Sequence, residues 1–91
     1  MSEENPLLGL REKIDALDLQ IMQAISDRAR CAQQVAEVKK GQGDDVFYKP
    51  EREAQVLRHI MAENAGPLDN EEMARLFRQI MSACLALEEP V

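Results

Sequence analysis

The feature that most constrains this chain is the run from Leu10 to Lys40, which contains neither glycine nor proline. Apolar residues recur in and just before it at three- and four-residue steps: Leu7, Leu10, Ile14, Leu17, Ile21, Ile25, Ala32 and Val35. That spacing is the helical period and marks one face of one helix. Asn5 suits the N-cap and Pro6 the first helical position, while Lys39, Lys40 and Gly41 supply a basic last turn and a stop. A helix over residues 6–40 is about 50 Å long at 1.5 Å per residue. Two positions on its apolar stripe are cations. Counting by threes and fours from Ile25 gives Arg28, Ala32, Val35 and Lys39, so Arg28 and Lys39 fall within about 20° of each other at ~100° per residue.

The rest of the chain reads as two shorter helices. Residues 41–49 form a glycine- and aspartate-containing loop, with Phe47 and Tyr48 expected to tuck it against the body. Pro50 suits the start of a second helix, and Glu51 favours its first turn. This helix carries Val56, Leu57, Ile60 and Met61 on one face, and the Asn64-Ala65-Gly66-Pro67 stretch stops it at about residue 64. Asp69 is placed to cap a third helix over about 70–89, with Glu72 as its capping-box partner and Leu68 and Met73 as a hydrophobic staple. Met73, Leu76, Phe77, Ile80, Cys84 and Leu87 form its apolar face, and Pro90 stops it. Met1 to Glu4 are expected to fray. The expectation is a single all-α domain over residues 1–91, with one long helix and two shorter ones. The short helices can fold back along the long one, but its stripe runs nearly end to end. A stripe with a period near 3.5 wants a partner helix, and a two-fold dimer supplies one.

Composition narrows the function. A chain of 91 residues has a limited core, so oligomerisation is an expected source of stability. A net charge of −6 argues against nucleic acid or an anionic membrane as partner. No apolar run reaches transmembrane length, and the N-terminus lacks the parts of a signal peptide. Cys31 and Cys84 have neither metal-site nor disulfide-framework spacing. The reading is a reduced, cytoplasmic protein with both thiols as small core residues. No metal cluster and no nucleophile–base arrangement stands out.

Buried cations are costly unless paired. Each charge on the apolar faces has an ordinary reading. Arg28 can pack its stem and extend its head to water. Lys39 and Glu53 can complement helix dipoles, and Glu88 can be a solvated charge at a helix end. The set is harder to explain piece by piece. Arg11 flanks the stripe beside Leu10, Arg52 and Glu53 share the first turn of helix two, and Glu88 follows Cys84 by four residues on an apolar face. Arg28 and Lys39 are about 16 Å apart along the axis, so two long side chains can converge on one small anion. Arg11, about 25 Å from Arg28, reaches that anion only from an antiparallel partner subunit. The pattern points to a small polyanion held inside a helical bundle, with one arginine donated across a dimer. Arginine forks suit carboxylates.

The stretches Asn5-Pro6-Leu7-Leu8-Gly9-Leu10-Arg11, Asp27-Arg28, Val38-Lys39, Pro50-Glu51-Arg52-Glu53 and Arg75-Leu76-Phe77, with Glu88 near the end, occur in this order over nearly the whole chain. As a set they resemble the all-helical chorismate mutases, in particular the N-terminal mutase domain of bifunctional chorismate mutase–prephenate dehydratases. The resemblance implies an intertwined helical-bundle homodimer with two identical sites. It implies conversion of chorismate to prephenate in phenylalanine and tyrosine biosynthesis, with no cofactor and no metal. It implies that Arg28, and Arg11 of the other subunit, clamp the two carboxylates, and that Lys39 contacts the ether oxygen. Arg52 adds positive charge, Glu53 accepts from the ring hydroxyl, and Glu88 shares the ether oxygen with Lys39. Three positions depart from the family pattern: Glu88 stands where many relatives have glutamine, Cys84 where some have serine, and Lys49 where an acidic residue is expected. In the bifunctional relatives a dehydratase domain follows helix three, so the chain is expected to be an excised domain or a stand-alone mutase.

The reaction suits such residues. A one-substrate pericyclic rearrangement asks for a held conformation and for donors at the oxygen that gains negative charge. Two other readings use the same residues. An isochorismate–pyruvate lyase shares the fold and a cationic pocket. A non-enzymatic helical dimer would leave Arg28 and Lys39 exposed or internally paired, with no polar pocket in the bundle.

Overall fold

The computed structural model describes residues 5–44 and 46–88. It contains three helices, α1 (Pro6–Gly41), α2 (Pro50–Glu63) and α3 (Asn70–Glu88), and no strand among the described residues. The fold class is therefore all-α. The fraying expected at Met1 to Glu4, the final residue Glu89 of helix three and the stop at Pro90 lie outside the described residues.

The helix ends follow from local chemistry. The Asn5 side chain accepts from the Leu7 amide at 3.0 Å, which caps α1 ahead of Pro6. At its other end α1 runs through Gly41, and the residue that turns the chain is Gly43, at φ 77°. Glycine takes this left-handed conformation without a Cβ clash. The Asp44 amide then donates to the Lys39 carbonyl at 2.8 Å and the Gly43 amide to the Lys40 carbonyl at 3.0 Å. This is the Schellman pattern, and it fixes where Asp44 stands.

The turn between α2 and α3 is organised by Asn64. Its Nδ2 donates to the Leu68 carbonyl and to Asn70 Oδ1, both at 2.9 Å, and its Oδ1 accepts from the Gly66 amide at 3.1 Å. Asp69 Oδ1 accepts from the Glu72 amide at 2.8 Å, as an N-cap does. The other half of the capping box is altered, because the Glu72 carboxylate pairs with Arg75.

The three helices do not pack symmetrically. α3 packs against both α1 and α2, whereas α1 and α2 make no close backbone approach to each other among the described residues. The buried positions are Ala36 on α1, Leu57 on α2, and Ala74 and Cys84 on α3. Three of these are small, which lets helix axes come close. α1 and α2 are left standing apart across α3. Cys31 corrects the expectation that both thiols are core residues: Cys84 is buried, but Cys31 is exposed. It sits on the stretch of α1 that α2 does not cover. Tyr48 is also exposed, while Phe47 is half-buried, so only one of the two aromatics tucks in.

From residue 5 to residue 24, α1 is exposed throughout. Its apolar stripe there is uncovered, with Ile14 at 55%, Leu17 at 52% and Ile21 at 57% exposure. The chain is accordingly elongated, 65 × 25 × 19 Å. No helix among the described residues is long and apolar enough to cross a membrane.

Removing the Asp69 cap should destabilise α3. Asp69→Ala is expected to cost about 1 kcal/mol, the usual worth of an N-cap side chain. Urea unfolding at one fixed protein concentration measures this, and an unchanged midpoint would show that the cap contributes nothing.

Candidate active site

The gap between α1 and α2 is a cavity of about 300 Å³ floored by α3. α1 contributes Arg28, Cys31, Ala32, Val35 and Lys39 to it, one helical face over three turns. α2 contributes Arg52, Glu53 and Val56 from its start, and α3 contributes Met81, Cys84, Leu85 and Glu88. The connecting loop closes one end with Phe47, Tyr48 and Lys49. The stretch of α1 that remains open to α2 is thus the stretch that carries the two cations of its apolar face.

Of the residues singled out from sequence, Arg28, Lys39, Arg52, Glu53, Cys84 and Glu88 line this one cavity. Arg11 does not. It is exposed on the free half of α1, about 25 Å along the axis from Arg28. A helical dimer without a ligand site would have no polar pocket here, and the cavity counts against that reading.

The wall carries four cations, Arg28, Lys39, Lys49 and Arg52, against two carboxylates, Glu53 and Glu88. The cations differ in how they are held. Lys39 Nζ donates to the Val46 carbonyl at 3.3 Å and lies 5.8 Å from the centre of the Phe47 ring, within cation–π range. Lys49 Nζ donates to Asp44 Oδ2 at 3.1 Å. Arg52 Nη1 donates to Gln55 Oε1 at 2.7 Å, one turn along its own helix. Arg28 and Arg52 also border a second hollow of about 390 Å³ that runs along α2 past Val56, Ile60 and Phe77.

Asp44, which holds the cavity-lining Lys49, was not singled out from sequence. The hydrogen bond from the Val46 amide and then that from Lys49 hold its carboxyl below the ordinary value of 3.8. A depressed carboxyl pKa means that the tether is complete at neutral pH and is lost as the pH falls through the lowered value. Lys49, Cys31 and the two loop aromatics are the other lining groups that spacing did not reveal. Lys49 stood out only as a departure from the family pattern, and Cys31 only as a small residue three positions after Arg28.

Fold and cavity together define a helical domain with a cation-rich cavity between its outer helices. Comparison with known proteins gives its family. The family model described as chorismate mutase type II matches residues 10–89. A bifunctional chorismate mutase/prephenate dehydratase of Stutzerimonas stutzeri is 62% identical over the whole of this chain, and one of Pseudomonas aeruginosa is 60% identical. The chain spans about a quarter, 26%, of the length of each. A chorismate mutase of Thermus thermophilus superposes with a TM-score of 0.88 at 32% identity, covering 92% of this chain and 94% of that one. The chain belongs to the chorismate mutase type II family, and its fold is that of the all-helical chorismate mutases.

The two thiols should separate in reactivity. An anionic aromatic disulfide reagent is expected to titrate one thiol per native chain, at Cys31, and the second only after unfolding. Cys31→Ser should abolish the native reaction. Two rapidly reacting thiols, or none, would contradict the exposure seen here.

Proposed function

We propose that this chain catalyses the cofactor-free rearrangement of chorismate to prephenate, at a site completed by Arg11 from a second copy of the chain. The observation that carries this reading is the convergence of Arg28, Lys39, Glu53 and Glu88 on one cavity in a member of this family. Chorismate is a dianion, and the cationic excess of the wall suits it. In the reaction one ether C–O bond breaks and one C–C bond forms within a single molecule, so no group is transferred to the protein. The protein's task is to hold the enolpyruvyl arm over the ring and to meet the charge that grows on the ether oxygen.

Arg28 grips one carboxylate in a bidentate fork, and Arg11 of the partner grips the other. Lys39 donates to the ether oxygen. An ammonium has three donors, so it can keep the Val46 carbonyl and still offer a proton to the substrate. Glu88 faces the same oxygen and must be protonated to donate to it, because a carboxylate only accepts. Glu53 accepts from the ring hydroxyl, and Arg52 adds positive charge at the divide between the two hollows. Cys84 forms part of the cavity floor beneath the ring.

The uncovered stripe on α1 supports the dimer. An apolar face of this length on a free helix marks an interaction site. A second α1 running antiparallel along it covers Ile14, Leu17 and Ile21 and brings Arg11 towards the open flank beside Arg28 and Arg52. In the longer relatives the mutase is joined to a prephenate dehydratase, and the reading extends to a parent protein of that kind, acting in the cytoplasm on the route to phenylalanine.

The purified chain is expected to consume chorismate and release prephenate. Salicylate and pyruvate from isochorismate would instead mark a lyase. Lys39→Ala should lower turnover by roughly 10²–10³, the usual cost of one oxyanion donor. Its melting temperature should hold or rise, because a cation held only by a carbonyl and a ring face, with no carboxylate in ion-pair contact among the described residues, leaves a partly apolar wall. A large fall in melting temperature with turnover intact would make Lys39 structural.

Mixing Arg11→Ala subunits with Arg28→Ala subunits should restore activity that neither has alone. In the mixed dimer one site receives both defects and the other neither. No recovery after verified chain exchange would refute the shared site.

A further inference from the structure

Lys39 sits inside a closed circuit of hydrogen bonds. Its own carbonyl accepts from the Asp44 amide at 2.8 Å. Asp44 Oδ1 accepts from the Val46 amide at 3.0 Å. The Val46 carbonyl accepts from Lys39 Nζ at 3.3 Å. The backbone end and the ammonium end of one lysine are thereby joined through two loop residues. We propose that Asp44 is a positioning residue for the mutase reaction, anchoring the backbone at Val46 so that the Val46 carbonyl aims the Lys39 ammonium at the ether oxygen. This rests on the functional reading above, and it adds a residue outside the cavity wall.

The geometry explains why the loop has this sequence. Gly43 turns the chain at φ 77° and so delivers the Asp44 amide to Lys39. The short Asp44 side chain reaches the amide two residues on, as aspartate does in turns. The Val46 N–H and C=O lie in neighbouring rigid peptide planes joined by two rotatable bonds, so anchoring the N–H on Asp44 leaves the carbonyl only the φ and ψ of Val46 as freedom. The second oxygen of Asp44 holds Lys49 and leaves Oδ1 to Val46. Phe47 supplies a ring face to the same ammonium. A lysine otherwise spends its stem flexibility freely, and a long unfixed donor is a poor stabiliser of a transition state. The circuit removes that freedom before substrate arrives.

The proposal separates the acceptor at Oδ1 from the charge on Asp44. Asp44→Asn keeps an oxygen for the Val46 amide and gives up the ion pair with Lys49. Asp44→Ala loses both. The expected result is a kcat about tenfold lower in Asp44→Ala, with KM moved less than about threefold, because misplacing one group by an ångström is felt in the chemical step. Asp44→Asn should recover most of that loss. In a Lys39→Ala background, Asp44→Ala should cost nothing further in kcat, since the group it positions is gone. Amide hydrogen exchange at Val46, measured without substrate, should be slow in the wild type and in Asp44→Asn and fast in Asp44→Ala. The exchange reads the circuit whatever the reaction, while turnover of chorismate by the wild type tests the functional reading separately. Full kcat in Asp44→Ala overturns the proposal, as does an undiminished further loss in the Lys39→Ala background.

Discussion

α3 packs against α1 on one side and α2 on the other through side chains as small as Ala36, Ala74 and Cys84, and this seam sets the position of every wall of the cavity. Small contact residues bring axes close, and the two outer helices then straddle α3 without meeting. A void between helices would normally be filled with apolar side chains, because interiors pack to crystal density. Here the gap receives Arg28 and Lys39 from one helix, and Arg52 and Glu53 from the other. The small residues of the seam leave the gap, and charged residues of the two outer helices line it.

Such a wall works against the stability of the subunit. Like charges in a confined space repel, and each loses part of its hydration. Lys39, Lys49 and Arg52 each offset some of this with a neutral or anionic partner in their own neighbourhood. Arg28 has no hydrogen-bond or ion-pair partner among the described residues, and it stands where both hollows meet. Under the proposed function, a dianionic substrate satisfies several of these groups together. The arrangement favours differential binding of a small polyanion over rigidity of the empty fold, as sites built for electrostatic stabilisation do.

Much of this was legible in the sequence, for identifiable reasons. The positions of Arg28 and Lys39 on one face follow from their separation of eleven residues, three turns to within about 20°. The caps at Asn5 and Asp69 follow from side chains whose short oxygens reach their own backbone. The joining of Arg52, Glu53 and Glu88 to that face was legible only through resemblance to a family, because it depends on which side of α3 each outer helix takes. Cys31 was misread because its residue type favours burial, while its exposure depends on the gap that α2 leaves. The Lys39 circuit was invisible. It passes through two backbone carbonyls, of Lys39 and Val46, and two backbone amides, of Asp44 and Val46, and a peptide group has no residue type to read.

α1 does two things along its length, and the division falls near Ile25, where exposure first gives way to partial burial. Beyond that point it packs on α3 and supplies the cations of the cavity. Before it, the helix carries an apolar stripe that no described residue of the same chain covers, with Arg11 at its edge. A single 91-residue subunit has too little buried surface to leave such a face idle at no cost. Under the dimeric reading, the contact that covers the stripe is the same contact that delivers the missing arginine. Stability and completeness of the site then have one source. An isolated subunit would be poorly stabilised and short of a carboxylate clamp together, so activity without association is disfavoured on both counts.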